Sequence, residues 1–338
     1  MAQVFIAIST RQNVANLPPI LEQFQPGDEV VWLEGKQGES EARSEGIVQI
    51  LQKRKIPLRS YALDRMHDPT SILNQLPRAI EPHLTQGIPI LVANGGKKAS
   101  LLAIWEVLRR YHPRVVYNMK HPCGYLEWRY DADATSVFHR YQRHDLDLQD
   151  ILAAYGFRVV SLQRLWPDFQ NPPDGSPPRS LAPGYRLEQV AARCTKNWLE
   201  RATLAHVCQS AWTRVVVNGG KTQQNMCELD VVLVLKNGVV VAIECKSGSK
   251  SLAEIDKHFE RIRRVVSRTA VIALCASYDF NSKGEKRKLD HDAQLWDGKK
   301  RPLLLPIVYS NNKIATDLFE INIQKLLAPY LSDNSVRE

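Results

Sequence analysis

The sequence predicts an α/β protein made of two such domains in tandem. Three observations carry that expectation. Through the first 120 residues, short apolar runs alternate with helix-like stretches, the pattern of βαβ units and a doubly wound parallel sheet. A Pro-, Gly- and Ser-rich segment at 166–184 (WPDFQNPPDGSPPRSLAPG) interrupts the chain near its middle. Beyond it strands and helices resume, and at 338 residues the chain exceeds one average domain.

Taken in order, the strands of the first half are expected at Val4–Ser9, Glu29–Leu33, Leu58–Ala62, Pro89–Ala93 and Arg114–Asn118, with helices near 14–24, 40–54, 70–85 and 98–111. Residues 123–141 are aromatic and β-branched around a turn at Asp131–Ala134, which predicts a hairpin. LDLQDILAAYGF then reads as a short helix ended by Gly156. The domains are therefore drawn at 1–157 and 185–338, with 158–184 as linker. In the second half, 185–207 reads as an amphipathic helix, followed by strands at Arg214–Val217, Leu229–Leu235 and Val239–Cys245. Lys236-Asn237-Gly238 supplies the hairpin turn between the last two. A helix over 251–267, a strand at Ala270–Ala276, a polar basic loop at 281–301, a strand at Leu303–Val308 and a helix at 314–331 complete it.

Composition narrows the function classes. No run of 18 or more apolar residues occurs, so no membrane span is expected. The N-terminus lacks a basic region ahead of its apolar stretch and reads as a first strand, not a signal peptide. Six scattered cysteines without CxxC spacing read as reduced thiols of a cytoplasmic protein rather than as a zinc site. Residues 1–157 hold 18 Lys and Arg against 17 Asp and Glu, whereas residues 158–338 hold 27 against 19. The excess positive charge thus belongs to the second half, as expected if that half meets a polyanion.

The second half also holds the clearest chemistry. In CELDVVLVLKNGVVVAIECKS, strand alternation puts Glu244 and Lys246 on one face and Cys245 on the other. Counting out from the turn sets Asp230 opposite Glu244, with apolar flanks on both strands. Two carboxylates close together beside an apolar core repel each other, and their hard oxygens suit Mg²⁺ or Mn²⁺. A metal there activates water and polarises a phosphodiester, while Lys246 orients the water or neutralises developing charge. The competing reading makes Glu244 and Lys246 the polar face of a half-exposed strand.

In the first half, Asn94-Gly95-Gly96-Lys97-Lys98 joins an expected strand to an expected helix. Glycines at such a turn let backbone N–H groups approach a phosphate, and the two lysines add charge. Ser9-Thr10-Arg11-Gln12-Asn13 follows the first strand and is the second loop at which a doubly wound sheet would meet a ligand.

Asp230…Glu244-Cys245-Lys246, preceded by Trp198-Leu199-Glu200 on a helix, resembles the PD-(D/E)xK endonucleases, most closely the restriction-endonuclease-like domain of CRISPR-associated nucleases activated by cyclic oligoadenylate. The loop after the fourth strand resembles the Thr-Gly-Gly-Thr-Lys turn of CARF domains, the Rossmann-like sensors of that messenger. It matches at Gly95, Gly96 and Lys98 and departs at Asn94 and Lys97. The resemblance implies an N-terminal CARF domain, a homodimer binding cyclic tetra-adenylate, and metal-dependent cleavage of DNA or RNA in type III CRISPR antiviral defence. It also implies a metal held by Glu200, Asp230, Glu244 and the Cys245 backbone carbonyl, with Glu188 on the same helix as the rival to Glu200. Other readings are an ungated DNA-repair nuclease and a ligand-responsive regulator with an inactive nuclease domain. The basic stretch 281–301 is expected to guide a nucleic-acid backbone, with Trp296 free to stack on a base, or else to be a solvated insertion.

Overall fold

The computed structural model describes residues 2–9, 13–36, 41–85, 87–129, 135–143, 146–166, 183–202, 207–219, 225–247, 252–266, 270–296, 302–310 and 313–331. The chain divides into two compact units, Met1–Arg158 with Lys236–Gly238, and Val159–Leu235 with Val239–Glu338.

The first unit is built on β1 (Ala2–Ile8), β2 (Glu29–Gly35), β3 (Leu58–Leu63), β4 (Gly87–Val92), β5 (Arg114–Met119), β6 (Gly124–Arg129) and β7 (Ser136–His139). They form one sheet in the order β3-β2-β1-β4-β5-β6-β7. The first five strands pair in parallel, and the β5–β6–β7 edge is antiparallel. The strand order reverses between β1 and β4, so the loops after these two strands flank the crevice where such sheets take ligands. The helices are α1 (Leu17–Gln23), α2 (Glu41–Lys53), α3 (Pro69–Leu84), α4 (Lys98–Leu108) and α5 (Leu148–Ala154). Phe5, Ile6, Trp32, Leu33 and Ile90 are fully buried, as continuous apolar strands covered on both faces require. Ile72, Leu76 and Ile80 of α3 meet Ile104 and Leu108 of α4 in one cluster against β1 and β2, at helical spacing. Asp147 and Asp150 form a reciprocal capping box that starts α5.

The second sheet runs β14-β13-β12-β11-β10-β9-β8, from β8 (Phe157–Trp166), β9 (Cys208–Gly219), β10 (Asn225–Leu235), β11 (Val240–Lys246), β12 (Val271–Asp279), β13 (Leu303–Ser310) and β14 (Lys313–Ala315). Strands β9, β10 and β11 are antiparallel neighbours, while β11, β12 and β13 run parallel. Its helices are α6 (Pro183–Arg201), α7 (Leu252–Val266), α8 (Glu285–Leu295) and α9 (Asp317–Leu331). The α/β class and the two-sheet architecture are those the sequence predicts.

Three local expectations change. Residues 158–166, expected to open the linker, belong to the strand Phe157–Trp166 of the second sheet; 167–182 lie outside the described residues. The basic stretch contains α8, whose Leu289 is buried. Trp296 is 3% exposed and stands edge-on to Phe259 at 5.9 Å, so its ring is committed to the core and not open to a base. No helix among the described residues is long and apolar enough to cross a membrane.

Candidate functional site

Hairpin β10–β11 sits in the middle of the second sheet, which explains its apolar flanks. Its turn needs a left-handed residue, supplied by Gly238 at φ +79°. Val231 pairs with Ile243, so the next step along both strands sets Asp230 beside Glu244. The Cys245 backbone N–H donates to Asp230 Oδ2 at 2.6 Å, and Thr213 Oγ1 donates to the Asp230 carbonyl at 2.6 Å. Lys246 Nζ donates to Glu244 Oε1. Asp230 and Glu244 are 7% and 2% exposed, and β11 is buried from Val240 through Cys245. Glu244 is therefore not on a solvated strand face.

Electrostatics follow from this burial. Desolvation, then the neighbouring Glu244 charge, push the Asp230 carboxyl up to about 8. Burial works against the Lys246 ammonium, but the Glu244 carboxylate outweighs it and raises the lysine above its usual range. Glu244 Oε2 is buried and has no hydrogen-bond partner among the described residues. A buried oxygen so placed, next to a second carboxylate, is the donor pattern a hard divalent cation satisfies. Among the described residues no group of three or more His, Cys, Asp or Glu is gathered as a ready metal cage. The donor set fits Mg²⁺ or Mn²⁺, which keep several waters and need few carboxylates. The Cys245 side chain, on the opposite face, contacts Cys275 on β12, with which it is in register.

Helix α6 presents Glu188, not Glu200, to this pair. Desolvation raises the Glu188 carboxyl, and among its charged neighbours are Glu228, Arg214, Glu244 and Lys246. Glu188 in turn acts on Asp230. Glu200 is half exposed and ion-paired with Lys196 at 3.7 Å. The cause is helical geometry: twelve positions amount to about 18 Å along the axis and roughly 120° around it. Trp198 and Leu199 are buried, which turns the next residue outward. The sequence reading also missed His258 on α7, whose Nε2 lies 3.0 Å from Glu244 Oε1. Its place on the helix after the Glu-Cys-Lys strand was the available signal. Among the described residues His291 pairs with adjacent Asp292 at 3.5 Å and is largely exposed, and Asp292 accepts from Tyr278.

In the first unit, the Asn94–Lys98 loop joins β4 to α4. Gly96 adopts φ +85°, where a Cβ would meet Ile8 Cδ1 at 3.1 Å, so the glycine serves both conformation and close packing. Lys97 is the N-cap of α4 and makes no side-chain cap, leaving the first-turn N–H groups of the helix uncapped by it. Lys97 and Lys98 are exposed. Asn94 clasps β5 twice: its Nδ2 donates to the Asn118 carbonyl at 2.9 Å, and its Oδ1 accepts from the Asn118 N–H at 2.8 Å. It thus shapes the loop from below. Ser9 and Asn13 follow β1, with Asn13 Nδ2 3.5 Å from Ser9 Oγ. Thr10, Arg11 and Gln12 lie outside the described residues.

No family model matches the sequence, and no curated protein matches it. Solved structures do match in shape. Protein VC1899 from Vibrio cholerae superposes at a TM-score of 0.63 with 14% identity, covering 97% of this chain and 98% of that one. Can2 from Sulfobacillus thermosulfidooxidans, in complex with cyclic tetra-adenylate, gives 0.60 and 15% identity over 98% and 99%. A type III CRISPR defence DNA nuclease activated by cyclic oligoadenylate gives 0.55 and 15% identity over 82% of this chain and 45% of its own. At such identities the likeness establishes a shared fold, which for the first two extends over nearly the full length of both chains.

Proposed function

We propose that the chain is a metal-dependent endonuclease switched on by cyclic oligoadenylate, with cyclic tetra-adenylate as activator, acting in type III CRISPR antiviral defence. The observation that carries this is the buried Asp230–Glu244 pair beside Lys246, with Glu188 facing it from α6. A full-length fold neighbour solved with cyclic tetra-adenylate supports the gating.

In this reading Asp230 and Glu244 would hold the metal, with the backbone carbonyl of Cys245, the residue after Glu244, beside them, and Glu188 takes the helix position. A bound Mg²⁺ or Mn²⁺ supplies a water of lowered pKa and polarises the phosphodiester. Lys246 offsets the carboxylate charge at rest and stabilises negative charge building on the phosphoryl oxygens. The Cys245 N–H fixes the rotamer of Asp230, and Thr213 fixes its backbone.

The activator is assigned to Ser9–Asn13 and Asn94–Lys98 on either side of the strand-order reversal, with Lys97, Lys98 and the α4 N-terminus facing phosphate. A ring of repeated nucleotides fits two copies of the loop, so the working unit is a homodimer. An open groove of about 580 Å³ lined by Leu91, Leu101, Leu102, Trp105, Val115 and Trp128 supports this, because Lys98 also lines it. Leu102 is 67% exposed, an apolar surface that a second copy would cover beside the ligand loop.

The test is cleavage of DNA and RNA in Mn²⁺ with and without cyclic tetra-adenylate. Cleavage only with the activator is expected. Equal cleavage without it would mark an ungated nuclease, and none in either condition a regulator.

A further inference from the structure

We infer that His258 is a positioning residue for Glu244: with Lys246 it holds carboxylate oxygen Oε1, so that Oε2 is presented to the metal. The inference rests on the nuclease reading above and adds to it a residue from α7. Glu244 is 2% exposed, and its two oxygens have unlike surroundings. Oε1 has nitrogen neighbours on two sides, Lys246 Nζ from its own strand and His258 Nε2 at 3.0 Å. Oε2 is buried and has no hydrogen-bond partner among the described residues. A carboxylate anchored through one oxygen keeps the lone pairs of the other for a cation, and such outer partners set the orientation and basicity of a ligand.

The helix explains why the imidazole arrives there. Ile255, Phe259, Ile262, Val265 and Val266 of α7 are buried, forming its core stripe. His258 flanks that stripe at its boundary, with a side chain 25% exposed, so the ring reaches Glu244 without entering the core. Its Nε2 is within hydrogen-bond range of Oε1 yet off the donor line, so this buried nitrogen completes no hydrogen bond among the described residues. The second torsion of histidine is soft, and a small ring rotation aligns the N–H with Oε1. A ring nitrogen beside one oxygen of a buried carboxylate whose other oxygen is left to a cation is the arrangement expected of a metal ligand and its outer partner.

The full-length protein tests this by direct Mn²⁺ binding, read as loss of the free-ion signal in electron paramagnetic resonance. Melting temperatures are recorded alongside for the parent, His258→Ala, His258→Gln and Glu244→Gln. The expected result is Mn²⁺ binding weakened about 10–100-fold in His258→Ala. His258→Gln, which carries an N–H to similar reach, should regain most of the loss. In cleavage, His258→Ala should need more Mn²⁺ for half-maximal rate yet approach the parental rate at saturation. Parental Mn²⁺ binding in His258→Ala, with binding lost in Glu244→Gln, overturns the inference and leaves the nuclease reading standing. Parental binding in Glu244→Gln overturns both. Equal losses in His258→Ala and His258→Gln, accompanied by lower melting temperatures, also overturn it, because the ring would then matter for packing alone.

Discussion

Glu188 and Glu200 share a helix but not a face, and cleavage assays should separate them sharply. Glu188→Gln is expected to lower the activated rate at least about 100-fold, the scale of losing one group that acts on the transition state. Glu200→Gln removes only a surface ion pair with Lys196, worth about 0–1 kcal/mol, and should cleave like the parent. A dead Glu200→Gln with an active Glu188→Gln would reverse the assignment. Asp230 gives a second residue-scale prediction. The folded protein keeps its proton up to about 8, whereas an ordinary aspartate releases it near 3.8. The native state therefore binds more protons across that window, and the stability this group contributes is lost as pH rises through it. The melting temperature of metal-free protein should fall from mildly acidic pH to about pH 8. Mn²⁺ should oppose the fall, since the cation replaces the proton between the carboxylates. Asp230→Asn should flatten the slope, and an unchanged slope in that variant would locate the titration elsewhere.

Elements were legible where period and punctuation agreed. Strands β1, β2, β4, β5, β10 and β11 show as apolar runs, and Asn237-Gly238 announces its turn. That legibility reached Asp230, Glu244 and Lys246, because a hairpin converts sequence distance into opposition across a ladder. It failed for α8, whose KRKLDHDAQ surface is nearly all polar and whose anchoring falls to Leu289 and, just beyond its end, Trp296. It failed again for His258 and for the choice of helix glutamate, which depend on how a helix is rotated against the sheet. A motif carried by buried Trp198 says nothing of that rotation beyond its own turn. The β4–α4 loop is the element whose role is easiest to isolate. Lys98 is exposed, so Lys98→Ala should leave the unfolding free energy within about 0.5 kcal/mol of the parent. It should weaken cyclic tetra-adenylate binding roughly 10-fold, the scale of one charge-assisted phosphate contact. Isothermal titration calorimetry checks it, and unaltered affinity would remove Lys98 from the ligand loop.

At the scale of the whole molecule, chain connectivity offers a way for the proposed activator to act on the hairpin. The turn Lys236–Gly238 belongs to the first unit, while the strands it joins, β10 and β11, belong to the second. Asn237 is 3% exposed. Its side-chain amide donates to the carbonyls of Met119 and Lys120 at 3.1 and 3.0 Å, and its own carbonyl accepts from Asn118 Nδ2 at 2.9 Å. Asn118 is the residue whose backbone Asn94 clasps from the ligand loop. A hydrogen-bonded route thus runs from the loop assigned to the activator to the turn between the strands bearing Asp230 and Glu244. Gating requires the activator to bind one arrangement of this route better than another, and coupling of this kind is typically about 1–3 kcal/mol. Asn237→Ala removes both donors to the 119–120 carbonyls and should cost about 1–3 kcal/mol of stability. If the route carries the signal, the same variant should bind cyclic tetra-adenylate within about 3-fold of the parent while the ratio of activated to basal cleavage falls about 10-fold, within that coupling range. Paired calorimetry and cleavage measurements decide it: an unchanged activation ratio at lowered stability would make Asn237 a structural tie only, and the signal would have to reach the hairpin by other residues.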